Sequence, residues 1–138
     1  MENFQDREGA NISFELLKNE PSKDIVVLLS GFAADHNFWR PILPILSESY
    51  NILLVDNPGS GKSSLSSESS TRQMARHVKN LLDHLKLKNI HLLGHGIGGM
   101  MAQWLAIDNP GLISCLFLYS TVGKPKDVQP MEFNGELF

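Results

Sequence analysis

From residue 25 onward, short unbroken apolar runs alternate with longer stretches whose apolar residues recur every three or four positions. The short runs are Ile25–Leu29, Asn51–Asp56, Asn89–Leu93 and Ile113–Tyr119. They are too short for helices and rich in β-branched residues and leucine, so they predict interior strands. The first intervening stretch carries Trp39, Ile42, Leu43 and Leu46, with Asp35 or Asn37 as its cap. Pro41 suits a first helical turn, whereas Pro44 should shorten or kink this helix. A second helix is predicted from Met74, Val78, Leu81, Leu82 and Leu85, and Ser70 with Gln73 has the spacing of a capping box before it. A third runs from Met100 to Ile107 and stops at Asp108-Asn109-Pro110-Gly111. Ahead of residue 25, Ile12, Phe14 and Leu16 alternate with Ser13 and Glu15. Together with Phe4–Asp6 across Arg7-Glu8-Gly9-Ala10, they predict a hairpin.

Strand and helix in alternation call for an α/β fold of three layers, α/β/α, with a mostly parallel sheet covered on both faces. Residues 1–122 form the expected core, and residues 123–138, broken by proline and charge, an irregular tail. Six serines between Ser63 and Ser70 suggest mobile or capping material. Ligands on such sheets bind at the carboxyl ends of the strands. The loops after Leu29, Asp56 and Leu93 all belong to that edge.

Composition narrows the function classes. The chain has 138 residues, 42% hydrophobic and 20% charged, with a formal net charge of −3, which fits one ordinary globular domain. No basic block or stripe is present, which argues against nucleic acid or an anionic membrane as partner. The N-terminus has no signal-like segment, and no apolar stretch approaches the ~20 residues of a membrane span, so a soluble, cytoplasmic protein is expected. Cys115, the sole cysteine, excludes an intrachain disulfide and reads as filler of the core within an apolar run. His77, His84 and His91 show no shared metal-ligand spacing, and the reading calls for neither metal nor cofactor.

Two glycine-rich segments carry candidate chemistry. Gly94-His95-Gly96-Ile97-Gly98-Gly99 sits where a strand passes into a helix, the setting of the G-x-S-x-G nucleophile elbow, but position 96 has no side chain. Gly59-Ser60-Gly61-Lys62-Ser63 invites comparison with a phosphate-binding loop, G-x-x-x-x-G-K-[ST]. There the first glycine position is Asp56, whose carboxylate repels phosphate, and a serine-rich stretch separates the loop from its helix. Lys62 then reads as a solvated loop residue.

Taken in order, four segments resemble the α/β-hydrolase family, most closely its small esterase and meta-cleavage-product hydrolase branch. Ser30-Gly31-Phe32-Ala33-Ala34-Asp35-His36-Asn37-Phe38-Trp39 resembles the oxyanion loop, and Asp56-Asn57-Pro58-Gly59-Ser60-Gly61-Lys62-Ser63 the D-x-x-G-x-G-x-S loop. The Gly94–Gly99 segment resembles the elbow, and Met101–Ala106 the helix behind it. The resemblance implies a truncated α/β-hydrolase core of about six strands, with residues 123–138 as tail or the start of a cap. It implies oxyanion donors at the N–H groups of Phe32 and Ile97, and a pocket lined by Gly31, Ala33, His36, His95 and Ser120. His36 is expected to meet solvent or ligand, His95 to point away from the vacant position, and Ser120 to act chiefly in a turn. Ser30 stands where the family has histidine and Gly96 where it has serine; the family's acid and histidine lie after later strands than these residues supply. The implied protein is of ester or carbon–carbon hydrolase ancestry and catalytically silent at Gly96. A pseudoenzyme binding a ligand or partner is the second reading, and a nucleotide binder the third. A small ester-like ligand and self-association through an exposed sheet edge complete the expectations.

Overall fold

Apolar runs become strands where the periodicity places them. The computed structural model describes residues 1–64 and 70–123. Its strands are β1 (Glu2–Gln5), β2 (Asn11–Leu17), β3 (Ile25–Leu29), β4 (Asn51–Val55), β5 (Ile90–His95) and β6 (Ile113–Tyr119). They form one sheet in the order β1-β2-β4-β3-β5-β6. β1 and β2 pair antiparallel, as do β2 and β4, with Phe14 opposite Val55. From β4 to β6 every pairing is parallel: Ile25 faces Asn51, Val27 faces Leu92 and His95 faces Tyr119. All five residues of β4 are buried, as its central place requires.

Alternate residues of each strand supply separate cores. Ile12, Phe14, Val27, Leu29, Leu53 and Val55 pack under α2 (Thr71–His84) and α3 (Ile97–Asp108). The α2 stripe of Met74, Val78, Leu81 and Leu82 is buried there, and Trp104 of α3 packs partly buried against the same cluster. On the opposite face Val26, Leu28, Ile52 and Leu54 pack with Trp39 and, partly, with Leu43 and Leu46.

Four details depart from the sequence reading. The stretch around Trp39 is a 3₁₀ helix, His36–Ile42, followed by a short α1, Leu43–Ser49. Pro44 cannot donate within a helix, so it opens α1 instead of bending a longer one. Asp35 caps the 3₁₀ segment by accepting from the Asn37 N–H at 2.9 Å. β5 runs on through Gly94 and His95, and α3 starts at Ile97, three residues before the apolar periodicity announces it. Asp6 belongs to the hairpin turn, not to β1.

The expected cover on both faces is incomplete, and Cys115 is exposed, not buried. Among the described residues β6 has a neighbour on one side only, and Ser114 through Tyr119 are all exposed. Phe117 is 61% and Tyr119 53% accessible. Ser70 forms both bonds of the expected capping box with Gln73. Of the serine-rich stretch, Ser63 and Ser64 are bonded to β2, while the rest before Ser70 and the expected tail after Gly123 fall outside the described residues. Among the described residues, no helix is long and apolar enough to cross a membrane.

Candidate functional site

At the carboxyl ends of β3, β4 and β5, three loops converge on one cleft. Its volume is about 520 Å³, and it is lined by Gly31, Phe32 and Ala33 after β3, by residues 57–61 after β4, by Met74 of α2 and by Ile97 of α3. None of these lining residues is charged. Phe32 stands at the lip, 87% accessible. It occupies a turn closed by the Ala34 N–H donating to the Gly31 carbonyl at 3.3 Å, with Ala33 at φ 56°.

Gly96 makes the bend between β5 and α3 with φ 55° and ψ −123°, a backbone state that side chains enter at a cost of about 1–3 kcal/mol. The bend is gripped from β6. The Gly96 N–H donates to the Tyr119 carbonyl at 3.2 Å, and the Thr121 hydroxyl donates to the Gly96 carbonyl at 2.6 Å. A β-carbon added at Gly96 would meet only the Gly31 α-carbon, at 3.4 Å. Gly98 is required for a different reason: a β-carbon there would overlap the Leu29 carbonyl oxygen, because α3 begins directly against the end of β3. α3 has no side-chain cap, so the Ile97 N–H at its first turn has no acceptor within the helix and sits at the positive end of the dipole.

Behind the cleft the chain spends its polar groups on itself. Asp56, fully buried, accepts from the His36 N–H at 2.9 Å and from the Lys62 N–H at 2.9 Å, and His36 Nδ1 lies 2.8 Å from the same carboxylate. Asn57 Nδ2 donates to the Ser30 carbonyl at 2.6 Å and ties the first loop to the second. The expectation that His36 meets solvent or ligand is therefore corrected: it is buried, held inward by a carboxylate from the neighbouring strand end. The same carboxylate accounts for the glycine-lysine loop. Asp56 Oδ2 accepts from the Lys62 N–H and so folds that loop back onto the end of β4.

His95 does not line the cleft. Its ring lies between Phe38, stacked at 4.7 Å, and Tyr119, at 5.2 Å, with Nδ1 beneath Gly31. Ser120 follows β6 in a left-handed conformation, φ 46°, and is exposed away from the cleft walls. Gly31, Phe32, Ala33 and Ile97 do share one cavity, next to the Gly96 bend. Asn57 and Met74 are cleft residues the sequence reading missed. The D-x-x-G-x-G-x-S resemblance held the signal for Asn57, whereas Met74 reads only as part of a buried stripe.

A second hollow, about 350 Å³, lies between α2 and α3 and is lined by cations already paired. Arg72 bonds Asp108 through two nitrogens at 2.7 and 2.9 Å and sits over Trp104 at 4.7 Å. Its hydrogen bond with Asp108 raises the guanidinium's pKa and lowers that of the carboxyl. Among the described residues, no group of three or more His, Cys, Asp or Glu side chains is placed to hold a metal ion.

A sheet of this order, with three loops meeting where strands end and helices begin, is matched by comparison with known proteins. The sequence model of the alpha/beta hydrolase fold matches residues 24–136. The chain belongs to the α/β-hydrolase family. A putative carbamate hydrolase, RutD of Stutzerimonas stutzeri, is 35% identical over 99 residues, 70% of this α/β-hydrolase chain and 37% of the relative. A pimeloyl-[acyl-carrier protein] methyl ester esterase of Legionella pneumophila is 34% identical over 110 residues, 80% of the chain and 42% of the relative. A hydrolase of known structure from Pseudomonas aeruginosa superposes with a TM-score of 0.82 at 28% identity, over 87% of this chain and 45% of that one. The α/β-hydrolase chain thus spans less than half the length of these relatives.

Proposed function

We propose that this α/β-hydrolase chain retains the acyl-binding cleft of an ester or carbon–carbon bond hydrolase but does not catalyse hydrolysis itself. One observation carries the reading: the bend between β5 and α3, where an elbow presents its nucleophile, is occupied by Gly96. The N–H groups of Phe32 and Ile97 border the cleft and supply the oxyanion donors, the latter strengthened by the helix end. What is lacking is an atom to attack the carbonyl carbon. Loss of the serine from a working triad lowers the rate about 10⁶-fold, or roughly 8 kcal/mol of barrier. Among the described residues no histidine faces the vacant position to act as base, since His36 is bonded to Asp56 and His95 is stacked beneath Gly31.

Turnover of a chromogenic short-chain ester tests this. The chain should hydrolyse it no faster than a buffer control, and Gly96→Ser should stay slow because the new hydroxyl has no base. Hydrolysis by the unaltered chain at enzyme-like speed would end the proposal, and recovery by Gly96→Ser alone would end the account of the missing base.

The uncharged, preserved cleft favours a second reading, a pseudoenzyme that binds an ester-like small molecule. Calorimetric titration with a non-hydrolysable ester analogue tests the working cleft that both readings require. Saturable binding weakened by Ala33→Trp supports it, and no binding at any temperature would rule it out.

A further inference from the structure

The N-terminal turn is fastened to α2 by a polar seam outside the cleft. The Asp6 carboxylate, completely shielded from solvent, takes four hydrogen bonds. Oδ1 accepts from the N–H groups of Glu8 and Ala10, both at 2.9 Å. Oδ2 accepts from Asn80 Nδ2 at 3.1 Å and from His77 Nδ1 at 2.5 Å. Three residues apart, His77 and Asn80 lie on one face of α2. The seam extends on both sides: Arg76 bonds Glu8 at 3.0 Å, and Phe4 stacks on His84 at 4.6 Å.

The segment that Asp6 organises continues directly into β2, and β2 carries the second cleft loop. The Ser13 N–H donates to Ser63 Oγ at 2.8 Å, and that hydroxyl donates to the Asp56 carbonyl at 2.6 Å. The Asn11 N–H donates to Ser64 Oγ at 2.9 Å, and the Ser64 N–H returns to the Asn11 carbonyl at 2.8 Å. Both ends of the loop around residues 57–61 are therefore tied to the strand that Asp6 locks against α2.

We propose that Asp6 is a positioning residue for the cleft: its clamp on α2 sets the place of Ala10–Ser13 and, through Ser63 and Ser64, holds the cleft wall of residues 57–61, so that protonating Asp6 slackens that wall while the central sheet stands. A protonated carboxyl has a proton to place where four donors already point, and each buried donor left unmatched costs about 1–3 kcal/mol. The titratable side chain that touches the carboxylate is His77 of α2; beyond it, Arg76 is paired with Glu8 and His84 is stacked on Phe4. Burial pushes the Asp6 carboxyl up, but the hydrogen bonds from His77, Asn80 and the Ala10 N–H, with the attraction of His77, outweigh it and hold the group below its ordinary value of 3.8. The stabilisation is then complete above that ordinary value and disappears as pH falls through the lower folded one. The inference concerns order in the loop and stands whether or not the cleft takes a ligand.

Amide hydrogen exchange on the full chain, corrected for intrinsic pH dependence, tests it with Asp6→Asn and a wild-type pH series. In Asp6→Asn at neutral pH, the Ser13 and Ser64 amides should exchange at least about tenfold faster, with β3 and β5 unchanged. Wild type should show the same selective loosening as the medium is acidified. Unchanged exchange at Ser13 and Ser64, or loosening only in step with β3, overturns the proposal. Should Asp6→Asn not fold, Asn80→Ala, which removes one donor from the same carboxylate, decides by the same criterion at neutral pH.

Discussion

Gly96 serves the fold at the position where the proposed function has a nucleophile missing. Its backbone state is one that side chains resist, yet the space beside it is open apart from the Gly31 α-carbon. Gly96→Ser should therefore fold and pack, but be less stable by about 1–3 kcal/mol, read as a lowered midpoint in urea with an unchanged slope. An equal midpoint would mean that the bend carries no strain. At this scale much of the cleft is legible in the sequence, because glycine-rich segments after strands mark where backbone must turn sharply. The histidines are not. Whether His36 faces outward or inward depends on a carboxylate twenty residues away across two strand ends, which no local pattern encodes. His95 likewise sits one residue from the vacant position, yet its ring belongs to a stack with Phe38 and Tyr119.

Elements were the most readable level, since burial imposes a period of two or 3.6 on the sequence. The Met74-to-Leu82 stripe and the Ser70–Gln73 box fix α2 almost to the residue. Ser70→Ala should cost about 1 kcal/mol by chemical denaturation, and a loss below a few tenths would show the cap to be dispensable. Boundaries were read less well where tertiary contact overrides propensity. α3 begins at Ile97 because glycines at 98 and 99 let it press against β3 and Thr121, although they weaken a helix taken alone. Around Trp39, two prolines divide what apolar spacing presents as one helix. Cys115 is exposed for a reason beyond the strand itself: an apolar run is buried only if neighbours cover it.

For the molecule as a whole, we propose that this exposed strand drives self-association. Among the described residues, β6 presents Leu116, Phe117, Leu118 and Tyr119 to solvent along an unpaired edge, with neither charge nor proline to discourage pairing, and the one break in its register with β5 falls earlier, at Ser114. Sedimentation of the chain as given should show concentration-dependent association, and Phe117→Lys should shift it toward monomer. A single sharp monomeric boundary at all concentrations would rule out a sticky edge. The two faces of the sheet also differ in what they place at their centres. Trp39 is sealed beneath the 3₁₀ segment, and Trp104 lies partly open on the other side under the Arg72 guanidinium. The protein consequently contains its own pair of fluorescent reporters, one per layer. Replacing either indole with phenylalanine leaves an emission signal that follows the loosening of a single face, so the order in which the layers come apart can be watched without attaching a dye.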